Sequence, residues 1–242
     1  MAFEYTNNNG IELPLAVFLM YDKYDYDERP NVLSATGLMK PLRQLVLAKQ
    51  HPAEAKKVDI ADLVHSRMGN AIHKGCEIAW TDPDTIKKAL KLFGMSEDAT
   101  NNIRINPAFA KQDETPIYVE QRVEKQTINN FIISGQYDLV LDGELNDFKS
   151  TSVWAYIYGS NVDNYIKQGS IYKWLSPDKI TSDYVHIHYI FTDWSPAKAR
   201  EKPKTYPQFK AISKKYPLWS NEETVSWIMN KIEAYTAAAD LP

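Results

Sequence analysis

The chain has 242 residues, of which 44% are hydrophobic and 24% charged, and its formal net charge is −3. This composition is typical of a globular protein, and the length allows one sizeable domain with a buried core. The single cysteine, Cys76, excludes an intramolecular disulfide framework and cysteine-rich metal sites. The longest apolar run, Leu13 to Tyr21, is too short to span a membrane, and the first residues lack a basic signal region. We therefore expect a soluble, intracellular (cytoplasmic) protein without a membrane partner.

The charge is distributed unevenly along the chain. Residues 195–216 contain seven basic side chains and one acidic one, a net charge of +6, which leaves −9 on the rest. Aromatic rings are interleaved with these basic residues. Basic groups that neutralise phosphates, together with rings that stack on bases, are typical of nucleic-acid binding. The segment is therefore either a nucleic-acid contact or a solvated surface loop. Its candidate contacts are Lys198, Arg200, Lys202 and Lys204.

The first part of the chain is predicted to be mainly helical. Residues 1–35 have an irregular pattern and contain an acidic cluster. Ser34 or Thr36 can cap the helix predicted at residues 38–50, and Asp82 followed by Pro83 can begin the helix predicted at residues 83–94. The acidic cluster consists of Asp22, Asp25, Asp27 and Glu28. The predicted helices are residues 38–50, a short stretch after Asp59, residues 69–80 and residues 83–94.

The pattern then changes to alternating apolar and polar residues, which predicts strands. Asn129-Asn130 is one candidate turn, and Asp142-Gly143 is a stronger one because a type I′ turn needs positive φ at both central positions. The predicted strands are residues 117–124, 131–141, 145–150 and 184–192, and the predicted helices are residues 162–175 and 222–238.

This order predicts an α/β fold in which a mixed central β-sheet is flanked by helices. We expect residues 1–242 to form a single domain. Its parts are a helical region at about 36–95, a core at about 115–195, the basic segment at 195–216 and a C-terminal helix.

The Asp142-Gly143 turn has a consequence for the two strands that it joins. A symmetric two-residue loop places Asp138 opposite Asp147, with Cβ atoms about 5 Å apart. Lys149 is two residues beyond Asp147 and points to the same face. Paired carboxylates repel each other unless a cation lies between them, so the pattern indicates a hard divalent metal. From these residues alone, the alternative is a solvated sheet face with an Asp–Lys ion pair.

These residues also carry a resemblance to a known family. Gly135-Gln136-Tyr137-Asp138, followed by Asp147-Phe148-Lys149, resembles the G-x-x-D … D-x-K signature of the PD-(D/E)XK nuclease superfamily. The D-x-K element is short and has little specificity by itself. Two flanking elements strengthen the resemblance.

The flanking elements are similar to motifs of the RecB-like branch of that superfamily. Gln168 and Tyr172, in YIKQGSIYKWL, match the Q-x-x-x-Y element, and their spacing places them on one helix face. Gly69 and His73, in RMGNAIHKGCE, match the glycine–histidine motif, whose histidine is an additional metal ligand. Either pair alone is also compatible with ordinary helix packing. Ser34-Ala35-Thr36, with Arg43 nearby, is also similar to the opening helix of that branch. The matches therefore span residues 34–175 in the family order and are most similar to phage and bacterial recombination exonucleases.

The resemblance implies a restriction-endonuclease-like core and phosphodiester hydrolysis with one or two Mg²⁺ or Mn²⁺ ions. An iron–sulfur cluster is not expected because there is one cysteine, and a bound nucleotide is not expected because the sequence has no phosphate-binding P-loop motif. The implied metal ligands are His73, Asp138, Asp147 and the Phe148 carbonyl. The implied catalytic residues are Asp138, Asp147, Lys149 and Glu120, and the implied DNA contacts are Gln168, Tyr172, Arg67 and the four basic residues named above.

Three functional interpretations follow. The first is an exonuclease in DNA recombination, repair or phage DNA processing, acting in a bacterial host if it is phage-encoded. The second is a structure- or sequence-specific endonuclease on the same core, and the third is a DNA-binding scaffold without turnover. The implied partners are DNA, a recombination protein of the single-strand annealing or binding type, and further copies of the chain. His186 and His188 share a strand face and form a weaker transition-metal candidate, with packing as the alternative.

Overall fold

The computed structural model describes residues 3–22, 27, 29–50, 56–127 and 130–239. The strands are β1 (Phe3–Thr6), β2 (Val32–Ser34), β3 (Lys56–Asp59), β4 (Ile103–Ile105), β5 (Thr115–Gln126), β6 (Ile132–Leu141), β7 (Glu144–Thr151), β8 (Tyr184–Phe191) and β9 (Ala211–Pro217). The helices are α1 (Leu13–Met20), α2 (Ala35–Leu38), α3 (Leu42–Gln50), α4 (Val64–Thr81), α5 (Pro83–Leu92), α6 (Glu97–Asn101), α7 (Val153–Ile157), α8 (Val162–Leu175), α9 (Pro196–Glu201) and α10 (Asn221–Ala239). A 3-10 turn, Ile60–Leu63, precedes α4.

The central sheet has the order β4-β5-β6-β7-β8-β9, and β2 pairs with β6. The β5–β6, β6–β7 and β8–β9 pairs are antiparallel, whereas the β7–β8 pair is parallel and is connected through α7 and α8. A separate two-stranded parallel sheet joins β1 to β3. The predicted α/β fold with a mixed central sheet and flanking helices is thus confirmed.

The β6–β7 hairpin has the predicted turn. Asp142 and Gly143 both have positive φ, +48° and +76°, as a type I′ turn requires. The strands pair in the predicted register, with Leu141 opposite Glu144 and Leu139 opposite Asn146. This short turn fixes the register of every residue that follows it on β7.

Helices cover one face of the sheet with the main hydrophobic core. The core side of α8 contributes Ile171, Tyr172 and Leu175, and α10 contributes Ile228 and Ile232. Gly135 on β6 makes room for this packing. A Cβ atom at Gly135 would lie 2.6 Å from the Tyr172 ring, so a glycine is needed where the ring crosses the strand.

A smaller core lies on the other face, below α4. Ile117, Val119 and Leu139 are buried there, and Trp80 near the end of α4 packs against them. Arg67, earlier on α4, donates to the Leu19 carbonyl at 2.8 Å and joins α1 to α4. The sheet therefore lies between α4 on one face and α8 with α10 on the other, and α4 and α8 approach the same strands.

Three sequence-based expectations are wrong in detail. Residues 1–35 are not irregular throughout, because β1, α1 and β2 lie within them. The single helix expected at 38–50 is two helices, α2 and α3, since Pro41 fits the first turn of a helix but not its interior. The basic segment is not a plain loop, because it contains α9 and β9. Asp25, Glu28 and Asn129, which entered the sequence predictions, lie outside the described residues.

The short elements β3, β4, α6 and α7 were not predicted, whereas the other predicted strands and helices agree with the structure to within about five residues. Ser34 caps α2 by accepting the Gly37 N–H at 2.9 Å, and Asp82 caps α5 by accepting the Thr85 N–H at 3.2 Å. In the part of the chain that the structure describes, no helix combines the length and the apolar character that a membrane span requires.

Candidate active site

Strands β6 and β7 separate at Asp138 and Asp147, the two aspartates of the G-x-x-D … D-x-K motif. Main-chain pairing ends at Leu139 and Asn146, one residue before Asp138 and Asp147. The Asp138 carboxylate accepts the Phe148 N–H at 2.9 Å. A side-chain oxygen thus replaces the main-chain carbonyl that would accept this N–H in a continuous pair of strands. Both aspartates therefore lie at the opening between the strands.

Glu120 faces this opening from the neighbouring strand, β5. The β5–β6 pairing runs from Val119 opposite Leu139 to Gln121 opposite Tyr137, so Glu120 lies across from Asp138. Glu120 has a φ of +50°, which is uncommon for a residue with a side chain and indicates local strain. Gln136 donates to a Glu120 carboxylate oxygen at 2.7 Å and fixes its position.

His73 completes a cluster of possible metal ligands. It comes from α4, and its Nδ1 lies 3.3 Å from an Asp138 carboxylate oxygen. Ligand atoms of His73, Glu120 and Asp138 all lie within 4.8 Å of one another. One imidazole and two carboxylates form a donor set that fits Mg²⁺ or, with the nitrogen ligand, Mn²⁺. The structure therefore brings Glu120 into the ligand cluster, a role that the sequence left open.

Asp147 and Lys149 form a buried ion pair beside this cluster. Lys149 Nζ lies 2.7 Å from an Asp147 carboxylate oxygen, and the two side chains are 19% and 7% exposed. The same ammonium group lies 3.5 Å from Gln168 Oε1 and 5.4 Å from the centre of the Tyr165 ring. Lys149 thus has a fixed position between the strand and α8.

Gln168 and Tyr172 face the strands from α8, as their spacing predicts. Gln168 Nε2 donates to the Tyr172 hydroxyl at 2.7 Å, which orients the amide oxygen toward Lys149. Both residues line a cleft of about 580 Å³ that also contains the metal-ligand cluster. Its polar lining includes His73, Glu120, Gln136, Asp138, Lys149 and Gln168.

Burial has similar consequences for two acids of the site. Burial raises the pKa of Glu120 to about 7, and the nearby Asp138 and Glu77 carboxylates act in the same direction. Burial also raises the pKa of Asp147 to about 6, against the opposing charge of Lys149. These two carboxyls therefore take up protons more readily than exposed acids do.

Asp138 and His73 are shifted toward their charged forms. Burial tends to raise the pKa of Asp138, but the His73 hydrogen bond and the charges of His73 and Lys149 outweigh it and lower the pKa. The same hydrogen bond raises the pKa of His73, although burial opposes it. The His73–Asp138 contact is therefore an ion pair whenever His73 is protonated.

The other candidate DNA contacts lie in two different environments. Arg67 is buried, and its guanidinium binds the Leu19 carbonyl and the Asp22 carboxylate, at 2.8 and 3.2 Å. We assign Arg67 to packing of the N-terminal helices. The basic residues of α9 and the following turn, in contrast, have exposed side chains: Lys198, Arg200, Lys202 and Lys204.

The two strand histidines have structural partners. His188 contacts the Asn146 side-chain oxygen at 2.9 Å and the Ser213 hydroxyl at 2.7 Å. His186 Nε2 lies 3.2 Å from a Glu144 carboxylate oxygen. These contacts tie β8 to its neighbours β7 and β9, which favours packing over a transition-metal site.

Sequence reasoning missed two residues that position the site. Gln136 holds Glu120, and strand alternation could have indicated it, because Gln136 and Asp138 are two residues apart and share a face. Tyr165 lies beside Lys149, and its position one turn before Gln168 on the same helix was the available signal.

Comparison with solved structures finds several that are similar to this chain. The crystal structure of SSO0001 is similar to this chain with a TM-score of 0.50 and 15% identity, over 90% of this chain and 80% of that one. A phage-related exonuclease from Haemophilus somnus has a TM-score of 0.45 and 14% identity, over 82% and 79%. An alkaline exonuclease from Laribacter hongkongensis has a TM-score of 0.44 and 10% identity, over 88% and 89%.

No family model matches this sequence, and no curated protein does. At these low identities the similarity shows the fold alone. The mixed α/β fold of this chain is consistent with the restriction-endonuclease-like fold that the PD-(D/E)XK resemblance implies, and the motif residues lie together within it.

Proposed function

We propose that this chain is a metal-dependent DNA nuclease of the PD-(D/E)XK type that hydrolyses phosphodiester bonds, acting as an exonuclease in DNA recombination, repair or phage DNA processing. One observation carries the proposal. Residues from five separate elements, α4, β5, β6, β7 and α8, bring a three-ligand cluster, a buried Asp–Lys pair and a Gln–Tyr pair together at one cleft.

Some residues of the cleft would bind the metal ion. His73, Glu120 and Asp138 would hold a Mg²⁺ or Mn²⁺ ion, with Asp147 and the Phe148 carbonyl as the further ligands that the family resemblance implies. When bound, the ion supplies charge neutralisation at the scissile phosphate and acidifies water. Since Glu120 and Asp147 have raised pKa values, each must lose its proton before it can act as a ligand.

Lys149 is the protein's own cationic group at the reacting centre. Its ammonium is held by Asp147 and lies near the Gln168 amide, so it enters the cleft in a defined orientation. There it would orient the attacking water and stabilise the negative charge that develops on the phosphate oxygens. Gln168 and Tyr172 would position the strand and Lys149 together.

The activity is testable with one gel assay. Linear duplex, single-stranded and closed circular DNA are each incubated with Mg²⁺, Mn²⁺ or EDTA, beside the Asp147→Ala variant. We expect linear DNA to disappear with a metal, to survive in EDTA and to survive with the variant. The variant should be less stable because Lys149 loses its partner, but it should remain folded, as circular dichroism checks, and should bind DNA.

The other outcomes have defined meanings. Cutting of the circle would identify an endonuclease, because an exonuclease requires an end. DNA binding without cleavage of any substrate would favour the scaffold interpretation. Full cleavage by Asp147→Ala would contradict the assignment of the site.

A further inference from the structure

An exposed pair of aromatic rings lies just beyond the catalytic strand. Trp154 and Tyr158, on α7 and at its C-cap, are one helical turn apart, and their rings stack with centroids 6.1 Å apart at 23°. The two residues are 43% and 75% exposed. An isolated exposed ring is ordinary on a protein surface, whereas two adjacent exposed rings form a larger apolar surface, which we call the platform.

One basic group lies against the platform. Lys198 Nζ, from α9, lies 5.9 Å from the centre of the Trp154 ring. Lys198 belongs to the basic segment, residues 195–216, whose net charge is +6. A ring platform beside clustered cations complements an unpaired nucleotide, because the ring stacks on the base and the cation attracts the phosphate.

Two hydrogen bonds hold the segments that carry the platform and Lys198 together at one end of the central sheet. The Thr192 N–H donates to the Thr151 carbonyl at 3.0 Å, and the Val153 N–H donates to the Asp193 carboxylate at 2.7 Å. The start of α7 and the start of the basic segment are therefore held together at the carboxyl ends of the parallel strands β7 and β8. Lys149 lies two residues before the end of β7.

A series of aromatic contacts links the platform helix to the catalytic lysine. Lys149 lies over the Tyr165 ring, at 5.4 Å, and Tyr165 contacts Tyr189 with a centroid distance of 6.2 Å. Tyr189 in turn contacts Tyr156 of α7 at 4.9 Å. The position of α7 relative to Lys149 is thus fixed by packed rings.

We propose that Trp154 and Tyr158, together with Lys198, form a stacking site for unpaired nucleotides of the nucleic acid that enters the cleft. This inference rests on the proposed nuclease function and adds a preference for substrates with single-stranded ends. The stacking tolerates any base sequence because every base has a ring face.

The experiment compares two DNA probes in an Asp147→Asn background with EDTA present, so that the DNA stays intact. One probe is a blunt duplex, and the other is the same duplex with a single-stranded thymidine extension. We expect Trp154→Ala to weaken binding of the extended probe by roughly 5- to 150-fold, the range for loss of one stacked base, and to leave blunt-duplex binding unchanged. Trp154→Phe should restore most of the lost affinity, since it keeps a ring.

Tyr184→Ala is the matched control. Tyr184 is also 43% exposed and also lies under a lysine, Lys215 at 4.7 Å, but it is at the beginning of β8, away from the end that precedes α9. We expect this variant to bind both probes normally.

The results distinguish the inference from the proposed function. Unchanged binding of the extended probe by Trp154→Ala, or an equal loss for both probes, would refute the stacking site and leave the nuclease proposal intact. A background protein that is folded, by circular dichroism, and binds neither probe would contradict both proposals; if Asp147→Asn is unfolded, the Lys149→Met/Asp147→Asn double variant, which leaves no unpaired buried charge, serves as the background.

Discussion

Asp147 and Lys149 form a buried ion pair beside the cleft, and each charge is stabilised by the other. Their charges lie 2.7 Å apart in a buried site, where each compensates for the loss of hydration of the other. Removal of one partner leaves a buried charge, whereas neutralisation of both does not. Each residue of the pair therefore stabilises the fold only while the other remains charged.

We predict that Lys149→Met abolishes cleavage and also lowers the free energy of unfolding by about 3–5 kcal/mol at pH 8. The loss should be smaller at pH 5. Burial already raises the pKa of Asp147 to about 6, and loss of the lysine charge raises this pKa further, so at pH 5 the carboxyl takes up a proton and becomes neutral. Urea unfolding at the two pH values measures the difference. The Lys149→Met/Asp147→Asn double variant should recover most of the stability, and a double variant as unstable as the single one would argue against the buried-charge explanation.

Glu120 gives a second prediction at the residue scale. Its pKa of about 7, raised chiefly by burial, means that it holds a proton below neutral pH, and a protonated carboxyl is a poor metal ligand. We expect Mn²⁺ affinity, measured by calorimetric titration, to fall as the pH decreases from 8 to 6. His73, whose pKa the Asp138 hydrogen bond raises, must also lose a proton, and it acts in the same direction.

The control is Glu120→Gln, which removes the carboxyl. It should bind Mn²⁺ more weakly at pH 8 and depend less on pH over this interval. A variant with the same pH dependence as the native chain would exclude Glu120 as a ligand.

At the scale of elements, the contact between β6 and α8 determines where Tyr172 lies. A Cβ at Gly135 would approach the Tyr172 ring to 2.6 Å. We predict that Gly135→Ala costs about 1–3 kcal/mol of stability through overpacking and reduces activity by displacing the ring. Gly75→Ala on α4 is the control, because a Cβ at Gly75 would have no neighbour within 4 Å among the described residues and alanine favours a helix. Denaturant unfolding should show a loss for the first variant and a small gain for the second; equal effects would contradict the packing argument.

The elements also show which parts of the fold were predictable from sequence. The β6–β7 register was predicted correctly because a two-residue turn determines it locally. Strands β1 and β2 were missed because each has three or four residues and pairs with a partner distant in sequence, β3 and β6. The local sequence patterns of β1 and β2 do not indicate these partner strands.

The candidate site was predictable to a different extent. Its residue types and order follow from the motifs, but the separation of the strands at Asp138 does not. Neither does the positive φ of Glu120, which turns this side chain toward His73 and Asp138. Both features depend on packing between elements, which a pattern within one strand does not encode.

At the scale of the whole molecule, the net charge of −3 conceals a division between the basic segment, at +6, and the rest of the chain, at −9. A negatively charged polymer is repelled by most of such a molecule and attracted by one region. The salt dependence of DNA affinity reports how many cations contact phosphates, since each contact contributes about 0.7–0.9 to the slope of log K against log salt concentration.

We predict that replacing Lys198, Lys202 and Lys204 with glutamine lowers this slope by about 2–3 in fluorescence anisotropy titrations of duplex DNA. The matched variant replaces three exposed lysines of α5 outside the segment with the same change in net charge: Lys87, Lys88 and Lys91. If attraction depended on net charge alone, the two triple variants would behave alike. We expect the α5 variant to retain the native slope, because only cations that contact phosphates release counterions, and an equal decrease in both variants would show that the basic segment is not the DNA-binding surface.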